Sequence, residues 1–164
     1  ITLVPINSLE DGFSKLKTYN CDFISSIQNR NMKNSNALGI WAEQQAATHL
    51  IMAGFQILAS NYCCRYGELD LIAVKQDTVI FVEVKARASD RFGCAAESVI
   101  EAKQRKLIRT AMHFLQQHEF YQQFSCRFDV ICIQVHQQIA KMLQQDFSQL
   151  TYDLDWIEGA FTLD

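Results

Sequence analysis

Residues 67–87 read GELDLIAVKQDTVIFVEVKAR, two apolar runs of strand length on either side of a short polar turn. The runs are rich in Val, Ile, Leu and Phe, and the Gln76-Asp77 connection is short enough for an antiparallel hairpin. This hairpin sets the frame for everything around it. The same runs carry Asp70, Glu83 and Lys85. Charged side chains in half-buried strands need a partner, because burial without one is costly.

The flanking segments supply the covering layers. Leu38–Met52 has helical periodicity, with Ile40, Ala47, Leu50 and Ile51 able to share one face. Asn36 suits its N-cap, and Gly54 suits the position just past its end. Residues 55–62 read as a strand and 63–67 as a turn. The hairpin strands then run from Glu68 to Val74 and from Val79 to Lys85. Residues 86–96 read as a loop. A second amphipathic helix is expected from about Glu97 to Gln117, with Leu107, Ile108, Ala111, Met112 and Leu115 as its apolar stripe. Lys103, Arg105, Lys106 and Arg109 fall on its opposite side. Phe128–Val135 reads as a fourth strand and Tyr152–Ile157 as a short last strand or turn; the Gln-rich stretch between them supports no assignment. The order α-β-β-β-α-β predicts an α/β fold, a helix–sheet–helix layering of one domain.

The chain has 164 residues, enough for a single domain with a sizeable core. Residues 1–31 show no clear period. Met32-Lys-Asn-Ser followed by a helix looks like a natural start. Residues 1–31 are therefore expected to be a poorly ordered extension, and 32–164 the domain; a genuine N-terminal arm is the rival reading. The apolar runs are too short to span a bilayer, and no signal-peptide pattern opens the chain. Six cysteines are present without a Cys-X-X-Cys pair or a zinc-like spacing with histidine. They are expected to be reduced thiols in a cytoplasmic protein, with Cys132 a small core hydrophobe and Cys63-Cys64 a weak candidate redox pair. The net charge of −3 gives no global attraction to nucleic acid, so any polyanion must meet a local basic face.

Side chains alternate across a strand. Glu68 and Asp70 should share one face of their strand, with Leu69 and Leu71 on the other. Glu83 and Lys85 should share a face of the next, opposite Val82 and Val84. Adjacent strands can then present Asp70, Glu83 and Lys85 at one spot. Two carboxylates held together repel unless a cation or a proton joins them. Oxygen ligands suit Mg²⁺ or Mn²⁺. A neighbouring lysine can orient a water or stabilise charge developing on phosphorus. Carboxylates, divalent metal and lysine together suit phosphodiester hydrolysis; the plain alternative is a set of solvated surface charges.

Asp70 followed by Glu83-Val84-Lys85 matches the PD-(D/E)XK nuclease motif on the αβββαβ core of the restriction-endonuclease-like fold. The longer segments LGIWAEQQAATHLIMAGFQILASNY, GELDLIA, FVEVKAR, RFG, RFDVICI and WIEGAF resemble the bacterial YraN family. That resemblance covers roughly residues 38–135, with a weaker echo at 156–161. It implies an endonuclease-like protein with a central mixed sheet, related to archaeal Holliday-junction resolvases. It implies Asp70 and Glu83 as metal ligands, the backbone carbonyl of Val84 as a third oxygen, and Lys85 as the residue that positions or activates water. It adds Glu43 to the metal site and leaves Glu68 as either a supporting or a solvated residue. Arg87, Lys103, Arg105, Lys106 and Arg109 become candidate phosphate contacts. The expected partner is DNA, branched or structured by analogy with resolvases, and two-strand action would require a homodimer. RNA remains a possible substrate. The rival is a non-catalytic nucleic-acid-binding or protein-interaction module on the same fold. Asp129 receives no role, and His49, His113, His118 and His136 share no spacing.

Overall fold

A computed structural model describes residues 37–87, 100–136 and 150–162. The proposed start at Met32, the Asn36 cap, residues 97–99 of the second helix and most of the Gln-rich stretch lie outside the described residues. Helix α1 (Ala37–Met52) leads into strands β1 (Gln56–Cys64), β2 (Gly67–Lys75) and β3 (Thr78–Arg87). Helix α2 (Glu101–Gln117) and a 3-10 turn (Glu119–Gln123) precede β4 (Ser125–Val135) and β5 (Tyr152–Phe161). The five strands form one sheet in the order β1-β2-β3-β4-β5. Among the described strands only β3 and β4 run parallel, and α2 lies in the crossover between them. The α/β fold with a mixed sheet between helices is the restriction-endonuclease-like core.

Strand β3 is central and buried from Val79 to Glu83, as a strand covered on both faces must be. One core lies between the sheet and α1, where Ala42, Ala46 and Ala47 let the helix approach closely beside Trp41 and Leu50. The second lies beneath α2, with Phe81, Phe114 and Phe128 at its centre. The α2 stripe is rotated from its expected position: Thr110 and Phe114 are buried with Leu107 and Ala111, and Met112 is exposed. Thr110 is tolerated inside because its hydroxyl donates to the Lys106 carbonyl at 2.8 Å. The last strand is longer than expected because it continues antiparallel along β4 from Tyr152 to Phe161. Ala86 and Arg87, expected in a loop, still pair with β4. The β1–β2 turn narrows to Arg65-Tyr66.

Gly54 ends α1 as expected. Its φ is +88°, its N–H donates to Ile51, and the Phe55 N–H reaches back to Leu50, a Schellman closure sealed by Phe55 against the core. The Lys75 ammonium donates to the Ala53 carbonyl beside it. An added Cβ would meet only Lys75 side-chain atoms, at 3.6 Å or more, so the cost of Gly54→Ala is the backbone strain itself. That substitution is expected to cost about 1–2 kcal/mol, measured by urea unfolding.

Strict alternation fails around Asp70. Leu71 packs under α1 while Leu69 packs under α2 with Ile72. In β1, Ala59 and Tyr62 likewise share the α2 side although three residues apart. The register places Asn61 of β1 opposite Asp70, and Asn61 has a φ of +51°. A left-handed residue inside a strand interrupts the alternation, and Asn is among the side chains that tolerate it.

Candidate active site

The pairing of β2 with β3 runs back from the hairpin turn and stops at Leu71–Val82. One step further, Asp70 replaces backbone pairing with its side chain, and its Oδ2 accepts the Val84 N–H at 2.7 Å. The two strands part here. In a strand the N–H and C=O of one residue face the same side, so the Val84 carbonyl shares the side on which Asp70 lies. Glu83 is 6% exposed. Its Oε1 accepts the Lys85 ammonium at 2.6 Å and the Lys103 ammonium from α2. From the other layer, Glu43 of α1 accepts the Asn61 side-chain amide at 2.7 Å through its Oε2. Five elements therefore converge where the sheet opens.

The electrostatics follow from this gathering. Burial pushes the Asp70 carboxyl up to about 7. The Glu83 and Glu43 carboxylates push in the same direction, and the Val84 N–H and Lys103 ammonium restrain the rise. Lys85 is raised as well: burial works to lower it, but its hydrogen bond and charge pairing with Glu83 prevail.

Asp70, Glu83, Lys85 and Glu43 thus lie together where β2 and β3 part. Among the described residues no three His, Cys, Asp or Glu side chains form a ready metal-binding cluster. The donor set still fits a hard divalent cation. It is made of oxygen atoms, and Asp70 is driven toward protonation by burial and by two other acids.

The helical basic residues differ in exposure and in partners. Lys103, expected away from the core, reaches the site at Glu83. Arg105 pairs with Glu101 one turn back, at 2.8 Å. Lys106 and Arg109 are exposed, as is Arg87 at the end of β3. Glu68 is exposed and hydrogen-bonds Cys63 across the hairpin, where it helps burial raise that thiol, so it does not support Asp70. Cys63, Cys64, Cys126 and Cys132 are free thiols, and Cys132 is only half-buried.

Asn61 and Lys103 are the contributors that strand alternation and helix periodicity do not reveal. Asn61 carries no signal beyond its place before the turn. Asp129 acquires a role elsewhere. It is 1% exposed and accepts Arg127 Nε and Nη2 at 2.8 and 2.9 Å, Trp156 Nε1 at 2.9 Å and the Gly159 N–H at 3.0 Å. It therefore joins the RFDV and WIEGAF segments across β4 and β5. His113 accepts from or donates to the Tyr62 hydroxyl at 2.8 Å, and His118 stacks on Phe114; both serve packing.

A sequence profile of the uncharacterised protein family UPF0102 matches residues 42–133, from α1 into β4. A UPF0102 protein of Acinetobacter baumannii strain AYE is 55% identical over 127 residues, covering 77% of this chain and 96% of the relative. One from Acinetobacter baylyi is 51% identical over 130 residues, covering 79% and 93%. One from Nitrosomonas europaea is 43% identical over 130 residues, covering 79% and 98%.

Proposed function

We propose that this chain, which belongs to the uncharacterised protein family UPF0102, the YraN family, is a metal-dependent endonuclease acting on DNA, with branched or structured DNA the first substrate to test. One observation carries the reading: Glu43, Asp70, Glu83 and Lys85 gather where β2 and β3 part. Asp70, Glu83 and the Val84 carbonyl would hold Mg²⁺ or Mn²⁺, with Glu43, steadied by Asn61, completing the acidic set. A bound divalent cation supplies polarisation of the phosphoryl oxygen and a more acidic attacking water. Lys85 orients that water by donating a hydrogen bond and offers positive charge to the phosphoryl group as negative charge builds on it. The strand N–H of Val84 fixes Asp70 before any substrate arrives. Arg87, Lys106 and Arg109, all exposed, are candidate phosphate contacts.

The test is cleavage of a labelled four-way junction, a flap and a plain duplex by the full chain, with Mg²⁺ and Mn²⁺ supplied separately. Metal-dependent cutting is the expected result. Lys85→Ala is expected to slow it by roughly 10²–10⁴-fold while Mn²⁺ binding, followed by calorimetry, persists. Metal binding without cutting of any substrate would overturn the catalytic reading and favour a binding module.

A further inference from the structure

Two ammonium groups meet at one oxygen of a nearly buried carboxylate. Glu83 Oε1 takes Lys85 from its own strand and Lys103 from α2. Charge balance at Glu83 alone needs one of them, and two ammoniums on one oxygen repel each other. The surrounding acids explain the second: Glu83, Glu43 and Lys103 all act electrostatically on Asp70, so three acidic groups lie together beside the two lysines. Lys103 thus supplies positive charge that the acidic set lacks.

The two lysines are not equivalent. Lys85 is two residues from Glu83 on one strand face, and its side chain is 26% exposed. Lys103 stands in the first turn of α2 and its side chain is 37% exposed. Its flexible four-carbon stem can carry the ammonium into water without disturbing the core. A divalent cation among Asp70 and Glu83 would repel both ammoniums, and Lys103 is the one free to leave.

We infer that Lys103 is an exchangeable counter-ion, which neutralises Glu83 in the metal-free protein and is displaced when a divalent cation binds. This rests on the metal-binding reading above and deepens it. Metal binding and Lys103 release are then one event. The released ammonium stays within a side-chain length of the site, placed to take a substrate phosphate. The site is closed by an internal cation until the metal arrives, which disfavours occupancy by weakly held monovalent ions.

Two measurements test this on the full chain. Mn²⁺ affinity is measured by calorimetry for the wild type, Lys103→Gln and Lys106→Gln. Lys106 lies one turn further along α2 and is exposed, so its variant reports the general effect of removing a positive charge. Lys103→Gln is expected to bind Mn²⁺ about 10-fold more tightly, and Lys106→Gln less than about 2-fold more tightly. In the wild type, the rate of Lys103 acetylation, followed by mass spectrometry, is expected to rise several-fold on adding saturating Mg²⁺. Equal affinities for the two variants, or a Lys103 acetylation rate indifferent to Mg²⁺ in a protein that binds it, would overturn the exchange and leave the nuclease reading standing. Absence of Mn²⁺ binding in every protein would overturn both.

Discussion

Asp70→Asn is expected to lower metal-dependent cleavage by on the order of 10³-fold and, in chelator, to make the protein more stable at neutral pH. The two effects come from one cause. Burial and the neighbouring Glu83 and Glu43 carboxylates hold the Asp70 carboxyl at about 7, against an ordinary 3.8. The folded protein therefore keeps a proton there that the unfolded chain has already lost. Between those two values the folded state binds more protons than the unfolded state, so stability falls as pH rises. The contribution is fully present below about 3.8 and is lost as pH passes about 7. An amide in place of the Asp70 carboxyl cannot titrate. The variant should lose this pH dependence and gain about 2–4 kcal/mol at pH 8 in the metal-free state. Urea unfolding at pH 5 and pH 8, in chelator and then in Mg²⁺, measures it. A bound cation replaces the proton, so in Mg²⁺ the wild type should be the more stable protein at pH 8. A pH profile unchanged by Asp70→Asn would show that the carboxyl is ionised and already neutralised.

The second large effect is expected away from the site. Asp129→Ala should cost about 3–5 kcal/mol, because it strands Arg127, Trp156 and the Gly159 N–H at a buried position. Asn is no remedy. The four hydrogen bonds all point inward from donors, two onto each carboxylate oxygen. Whichever way an amide is turned, its NH₂ faces two donors, so Asp129→Asn should cost about 2–4 kcal/mol. Arg127 is further tied to Glu158 at 2.7 Å, which makes it a bridge from β4 to the last strand. Denaturant unfolding gives the loss. Mn²⁺ affinity at low temperature, where the variants remain folded, should be within about twofold of the wild type if Asp129 acts only on the architecture. A large loss of metal affinity in folded Asp129→Asn would instead connect this network to the carboxylate site.

These two residues show different degrees of legibility. Asp70 is conspicuous because a charge interrupts an apolar run, and its spacing to Glu83 and Lys85 points to one spot. Asp129 interrupts an apolar run just as plainly, yet nothing near it in the chain says which donors it meets. Its partners Trp156 and Gly159 are 27 and 30 residues away. Glu43 stands out through family resemblance, whereas Asn61, which holds it, does not. An asparagine before a turn is an ordinary finding, and only its left-handed φ inside β1 makes it unusual. Helical spacing puts Met112 inside because it counts apolar residues and not the angle at which α2 meets the sheet. Phe114, with a larger side chain on a different face of the helix, takes the core position instead.

Local pattern is enough to define the elements and their order: the β2–β3 hairpin, the glycine stop of α1, the apolar runs that become β3 and β4, and the placement of Asp70, Glu83 and Lys85 on neighbouring strands. Such features depend on periodicity and turn chemistry, which act over a few residues. Three outcomes belong to the assembled fold: where β2 and β3 separate, the crossing of Lys103 from α2 to Glu83, and the joining of the last two strands by Asp129. Each of them depends on a charged group finding its counter-charge or donors on a separate element. Burial makes an unpaired charge so costly that the fold arranges itself to supply the partner, and no local pattern in the chain records which partner that will be.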